Sequence, residues 1–153
     1  DFIKITHRTQ NGFTPGRNFL NNLVDVDSAS RIYSMLFEYL GSTLTEDIPI
    51  GGAFEFKAAF PSVIHEWIWL VLLHRKMLPE YIEFFQSFYT NATASFEHNG
   101  VSRVLIHFRS GVLQGCPASA FLFNNAIDPF LANFDNVLRS KHAGIVRACA
   151  DDI

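Results

Sequence analysis

Two rhythms of hydrophobic and polar positions run along this chain, one with the period of a helix and one with the period of a strand. Residues 1–26 follow neither and carry the loop signals Asn11-Gly12 and Pro15-Gly16. Asp27 or Ser28 can cap a helix whose apolar face is Ile32, Met35, Leu36, Tyr39 and Leu40, and Gly41 closes it. A polar loop over 42–52 ends in Gly51-Gly52, and Ala53-Phe54-Glu55-Phe56-Lys57 then alternates apolar with charged as a strand does. Pro61 and Ser62 stand where a helix can begin, and the run Val63 to Arg75 is apolar over most of its circumference. Pro79 opens another helix, with Tyr81, Ile82, Phe85, Phe88 and Tyr89 at helical spacing.

Beyond these, Thr93–His98 and Val101–Phe108 are joined by Asn99-Gly100, the strongest short-range hairpin signal. Val104, Ile106 and Phe108 share one face of the second strand, with Arg103 and His107 on the other. Gly111 to Pro117 is a loop, Pro117 starts a helix reaching about Leu138, and Ala143–Ile153 reads as a strand running into a truncated end. Helices and strands come in mixed order, so the fold class is α+β.

Composition narrows the function classes. Hydrophobic residues make up 48% of the 153 and charged residues 18%, a balance that excludes intrinsic disorder. The longest strictly apolar run, Trp67 to Leu73, has seven residues, against about 20 for a membrane span, so the expectation is a soluble protein with no membrane partner. Net charge is −3 with a pI near 6.0, which argues against a nucleic-acid binder. Cys116 and Cys149 form no CxxC pair and build neither a disulfide framework nor a zinc site, and no secretory leader precedes them, so a cytoplasmic or nuclear location is expected rather than secretion.

Three segments stand out as chemistry: Phe54-Glu55-Phe56-Lys57-Ala58-Ala59-Phe60-Pro61-Ser62, Gly111-Val112-Leu113-Gln114-Gly115-Cys116-Pro117, and Ala150-Asp151-Asp152. In this order they resemble the palm motifs of reverse transcriptases, the RNA-directed DNA polymerases, and especially those of LINE-type, non-LTR retrotransposons. Gln10-Asn11-Gly12-Phe13-Thr14-Pro15-Gly16-Arg17 is similar to that family's fingers motif, and the stretch from Leu122-Phe123 through Ala126-Ile127-Asp128-Pro129 agrees as well. The likeness runs from about Gln10 to the last residue.

The resemblance implies a partial fingers-and-palm domain over 1–153, with an antiparallel palm sheet packed on helices and truncated at the Asp-Asp hairpin. Fingers would occupy about 1–50 and 68–110 and palm about 51–67 and 111–153, with the thumb absent. It implies two-metal nucleotidyl transfer of deoxynucleotides onto a primer, with Mg²⁺ or Mn²⁺ as cofactor. RNA template, DNA primer, dNTP and the rest of a retroelement polyprotein would be partners. Phosphoryl transfer of this kind needs two cations about 3.5–4 Å apart, and Mg²⁺ takes oxygen ligands, so carboxylates must converge. Glu55 and Asp151 are the candidates, with Asp152 secondary; Arg17, Phe56, Phe60, Gln114 and Gly115 match nucleotide-contacting positions.

Each residue also has a plainer reading. Glu55 can be a solvated edge, Asp151-Asp152 a turn, Gln114-Gly115 ordinary loop, Phe60 core and Arg17 an exposed turn residue. One departure bears on activity: Glu55 stands where the family carries aspartate, pushing the carboxylate out by one methylene. A misplacement of about 1 Å can cost roughly 10²-fold in rate. The alternative is therefore a catalytically dead relic of a retrotransposon with at most nucleic-acid binding.

Overall fold

In the computed structural model, residues 6–40 and 50–153 are described, apart from the side chain of Leu40. The Gly41 stop, most of the 42–52 loop and the Leu40 side chain lie outside them. The chain divides into two compact units, Asp1–Phe56 with Asp128–Ile153, and Lys57–Ile127.

In the first unit, helix α1 spans Leu20–Leu40, seven residues ahead of the expected Asp27 cap. Asn18 is the reason: its side-chain oxygen accepts the Leu20 amide at 3.0 Å, satisfying one of the donors that a helix start leaves open. Polar contacts anchor the early turns of α1. Asn22 Nδ2 donates to the Ala148 carbonyl at 3.1 Å, and Arg147 Nε meets Asp25 at 2.7 Å. The expected apolar face is real in spacing but exposed, with Ile32, Met35, Leu36 and Tyr39 all open to solvent.

The remaining backbone of this unit forms a ribbon of short pairings rather than long strands. Gln10 pairs with Ala148 in parallel, Cys149 with Asp152 and Glu55 with Asp152 antiparallel. The strands expected over 53–57 and 143–153 are thus reduced to bridges. Across them, the C-terminal half of α5 (Ser119–Ser140) supplies buried Leu131 and Asp135. Asp135 Oδ2 takes Arg8 at 2.7 Å and Arg139 at 2.9 Å, clamping the 6–10 segment to the helix. Burial alone would push the Asp135 carboxyl up; the hydrogen bonds from Arg8 and Arg139 outweigh it and hold it below the usual carboxylate range.

The second unit holds α2 (Ala59–Ser62), α3 (His65–His74), α4 (Pro79–Ser87), the hairpin β1 (Thr93–His98) and β2 (Val101–His107), and the start of α5. The helix expected from Val63 begins instead at His65. Val63 and Ile64 are extended because the Val63 carbonyl receives the Gly111 amide at 2.7 Å and Ile64 bridges Ser110. Pro79 opens α4 as expected. The hairpin also forms, with Asn99 at φ 51° and Gly100 at φ 76°, the left-handed pair that a two-residue turn requires. A bulge between Ala94 and Ser95 leaves Ser95 opposite Val104 and Ala94 opposite Ile106. Ile68, Leu72 and Leu122 are fully buried in this unit, and Trp67 donates its indole N–H to the Ala126 carbonyl at 2.8 Å. Secondary structure is α+β among the described residues, and the two-stranded antiparallel sheet there is this hairpin.

Candidate functional site

The site builds from a tight turn. Cys149 and Asp152 exchange both backbone hydrogen bonds, at 2.8 and 3.2 Å, so Ala150 and Asp151 are the two central residues of a hairpin turn. Ala150 takes φ 58°, the left-handed region that an L-residue adopts only when its surroundings hold it there. The hairpin that two adjacent aspartates need in order to approach one place is therefore present, with Asp152-Ile153 as the start of its return limb.

That limb meets the segment carrying Glu55. Phe54 and Ile153 exchange hydrogen bonds at 2.7 and 2.9 Å, which makes the next pair, Glu55 and Asp152, a directly opposed non-hydrogen-bonded pair. In such a pair both side chains leave the same face of the ladder, with Cβ atoms about 4.5–5.5 Å apart. Both are exposed, and Asp151 is half-buried beside them. Cys149, opposite Asp152 on the turn, reports the local field: burial pushes its thiol up, and the charges of Asp152 and Asp151 push it further. Phe54 and Phe56 line an apolar cleft of about 270 Å³ with Phe130, Phe134 and Ile153. Phe56 meets Phe130 edge-on at 5.8 Å, so it packs against α5.

For a divalent cation these groups are of the right kind, hard oxygen donors on a shared face. Among the described residues no cluster of three or more His, Cys, Asp or Glu converges, so the backbone brings two carboxylates together and not a closed shell.

Arg17 lies in the same unit, and its guanidinium is engaged with backbone. Nη1 donates to the His7 and Gln10 carbonyls at 2.5 and 2.8 Å, and Nη2 to the Thr6 carbonyl at 2.9 Å. A phosphate contact would have to exchange those bonds.

Phe60, Gln114 and Gly115 belong to the other unit. Phe60 stacks on Phe123 with centroids 4.2 Å apart and planes 11° from parallel, a packing arrangement. Gln114 and Gly115 are the exposed centre of a turn closed by the Cys116 amide on the Leu113 carbonyl at 3.2 Å, and Gly115 supplies its φ of 87°. Gly111 has a steric duty of its own, since a Cβ there would lie 2.8 Å from the Pro61 carbonyl oxygen.

Comparison with known proteins gives one informative match. The chain is similar to the Transposon TX1 uncharacterized 149 kDa protein of Xenopus laevis. They are 25% identical over 146 residues, which is 94% of this chain but 10% of that protein. The chain thus spans about a tenth of the length of the curated relative it matches. No family model matches. No helix among the described residues is long and apolar enough to cross a membrane.

Two residues that touch the turn lie far from it in sequence. Gln10 and Gly12 both contact the Asp151 turn, although nearly 140 residues separate them from it along the chain. The motif Gln10-Asn11-Gly12 was visible, but nothing in its spacing named what it touches.

Proposed function

We propose that this chain is part of the RNA-directed DNA polymerase of a retroelement, contributing carboxylates to nucleotidyl transfer of dNTPs onto a primer annealed to an RNA template. The observation that carries the reading is the opposition of Glu55 and Asp152 beside Asp151. Like charges directly opposed across a ladder are destabilising, and a divalent cation between them relieves the repulsion. The similarity to a transposon protein and the ordered motifs support the same reading. In it Glu55, Asp151 and Asp152 hold Mg²⁺ or Mn²⁺, whose chemistry is to neutralise charge on the phosphate oxygens. Within the same unit as these carboxylates, Phe56 meets the nucleotide side of the strand and Arg17 the triphosphate.

A second reading is a relic that keeps the fold and has lost catalysis, and Glu55 in place of aspartate together with the net charge of −3 favours it. Two measurements separate them. Mn²⁺ binding followed by water proton relaxation should be weakened at least about tenfold by Asp151→Ala, since a carboxylate ligand is removed. In the full-length protein, Glu55→Asp should raise primer extension on an RNA template by up to roughly 10²-fold. Equal rates for the two side chains would remove Glu55 from the reacting centre.

A further inference from the structure

Gln10 is fully buried, and its amide group is used three times. Oε1 accepts the Gly12 amide at 2.8 Å and the Ala150 amide at 2.8 Å, while Nε2 donates to the Ala150 carbonyl at 2.9 Å. The side chain therefore reads both backbone polar groups of one residue. That residue is Ala150, the one held at φ 58° in the turn that carries Asp151. A primary amide is the side-chain group that offers an acceptor and a donor side by side, matching a peptide N–H and C=O.

Two neighbours make the fit tight. Gly12 leaves no room for a side chain, since its Cβ would sit 2.3 Å from the Ala150 nitrogen and 2.9 Å from the Cys149 carbonyl carbon. Thr9 and Asn11 flank Gln10 and bind Ala148 from both sides, through the Ala148 amide on the Thr9 carbonyl and the Asn11 amide on the Ala148 carbonyl, each at 2.8 Å.

We propose that Gln10 is the positioning residue of the Asp151–Asp152 turn: by bonding both polar groups of Ala150, it fixes the left-handed residue that sets where the two carboxylates stand relative to Glu55. It touches no reacting atom and acts through the turn. The proposal rests on the polymerase reading for what the carboxylates do, and on the hydrogen bonds alone for how they are placed.

The test compares the full 153-residue chain with Gln10→Ala and with Leu131→Ala, a core truncation in the same unit that leaves the turn's hydrogen bonds intact. Leaving two buried polar groups of Ala150 without partners should speed hydrogen exchange at the Ala150 amide by about tenfold or more. The carboxyl carbon shifts of Asp151 and Asp152 should move with it, and Mn²⁺ affinity should fall about tenfold. Leu131→Ala should lower global stability while leaving those shifts and that affinity unchanged. Unchanged exchange at Ala150, or faster exchange with unmoved carboxyl shifts, overturns the positioning role whatever the metal does. So does a Gln10→Ala affinity equal to wild type when Asp151→Ala weakens binding. If the wild-type chain binds no Mn²⁺, the polymerase reading fails, and the carboxyl shifts alone then decide for or against Gln10.

Discussion

Gly12 and Ala150, 138 residues apart in sequence, approach so closely that a single added carbon on Gly12 would lie 2.3 Å from the Ala150 nitrogen. The atoms it would strike are backbone, which cannot swing aside as a flexible side chain can. Any substitution must move the turn itself, and with it Asp151.

Gly12→Ala is accordingly expected to cost about 1–3 kcal/mol, the range for forcing extra volume into a packed site, and to do so without removing any hydrogen bond. Urea unfolding checks it. A midpoint within error of wild type at unchanged slope would mean that the close approach of 12 to 150 is not maintained in solution.

The acid limb of stability should be governed partly by Asp135. Its carboxyl titrates below the ordinary value of about 3.9 because Arg8 and Arg139 bond its charged form. A depressed folded pKa means stabilisation that is fully present above the unfolded pKa and is lost as pH falls through the folded one. Asp135→Asn should therefore destabilise at neutral pH, by about 1–3 kcal/mol and toward the lower end, because both arginines are half-exposed and screened. As pH falls through the depressed folded pKa of Asp135 the two proteins should converge. Denaturant midpoints taken at pH 7 and in acid decide the matter; a gap that stays constant would separate the effect from ionisation.

How much of this was legible in the sequence depended on the range of the interaction involved. Asn99-Gly100 encodes its own turn, and Pro79 its own helix start, so both elements form where local chemistry places them. The start of α3 was not legible, because Val63 and Ile64 are pulled straight by Gly111 and Ser110, some 46 residues away. The exposed stripe of α1 shows the same limit in reverse: helical spacing of Ile32, Met35 and Leu36 fixes a face and says nothing about whether it is covered. At the site, the order of motifs singled out Glu55 and the Asp pair. What the order could not give is the register, in which the ladder sets Asp152 opposite Glu55. Phe60 illustrates a residue whose type fits two readings, and its stack on Phe123 is compatible with both.

The electrostatics of the turn can be read through Cys149 without any metal or substrate. Burial raises its thiol first, and the neighbouring charges of Asp152 and Asp151 add to the rise, so at pH 8 the reactive thiolate is scarcer than on an ordinary cysteine. Neutralising one of those charges lowers the thiol pKa and increases the thiolate fraction, and alkylation quickens in proportion. Asp152→Asn should thus speed modification of Cys149 by iodoacetamide, followed by mass spectrometry of its peptide. Cys116 is followed in the same digest as the reference thiol. The comparison also tests the turn's geometry. Cys149 and Asp152 are paired across it by hydrogen bonds of 2.8 and 3.2 Å, so their side chains share a face. An unaltered Cys149 rate in Asp152→Asn would place that carboxylate away from the thiol, and the same displacement would carry it away from Glu55.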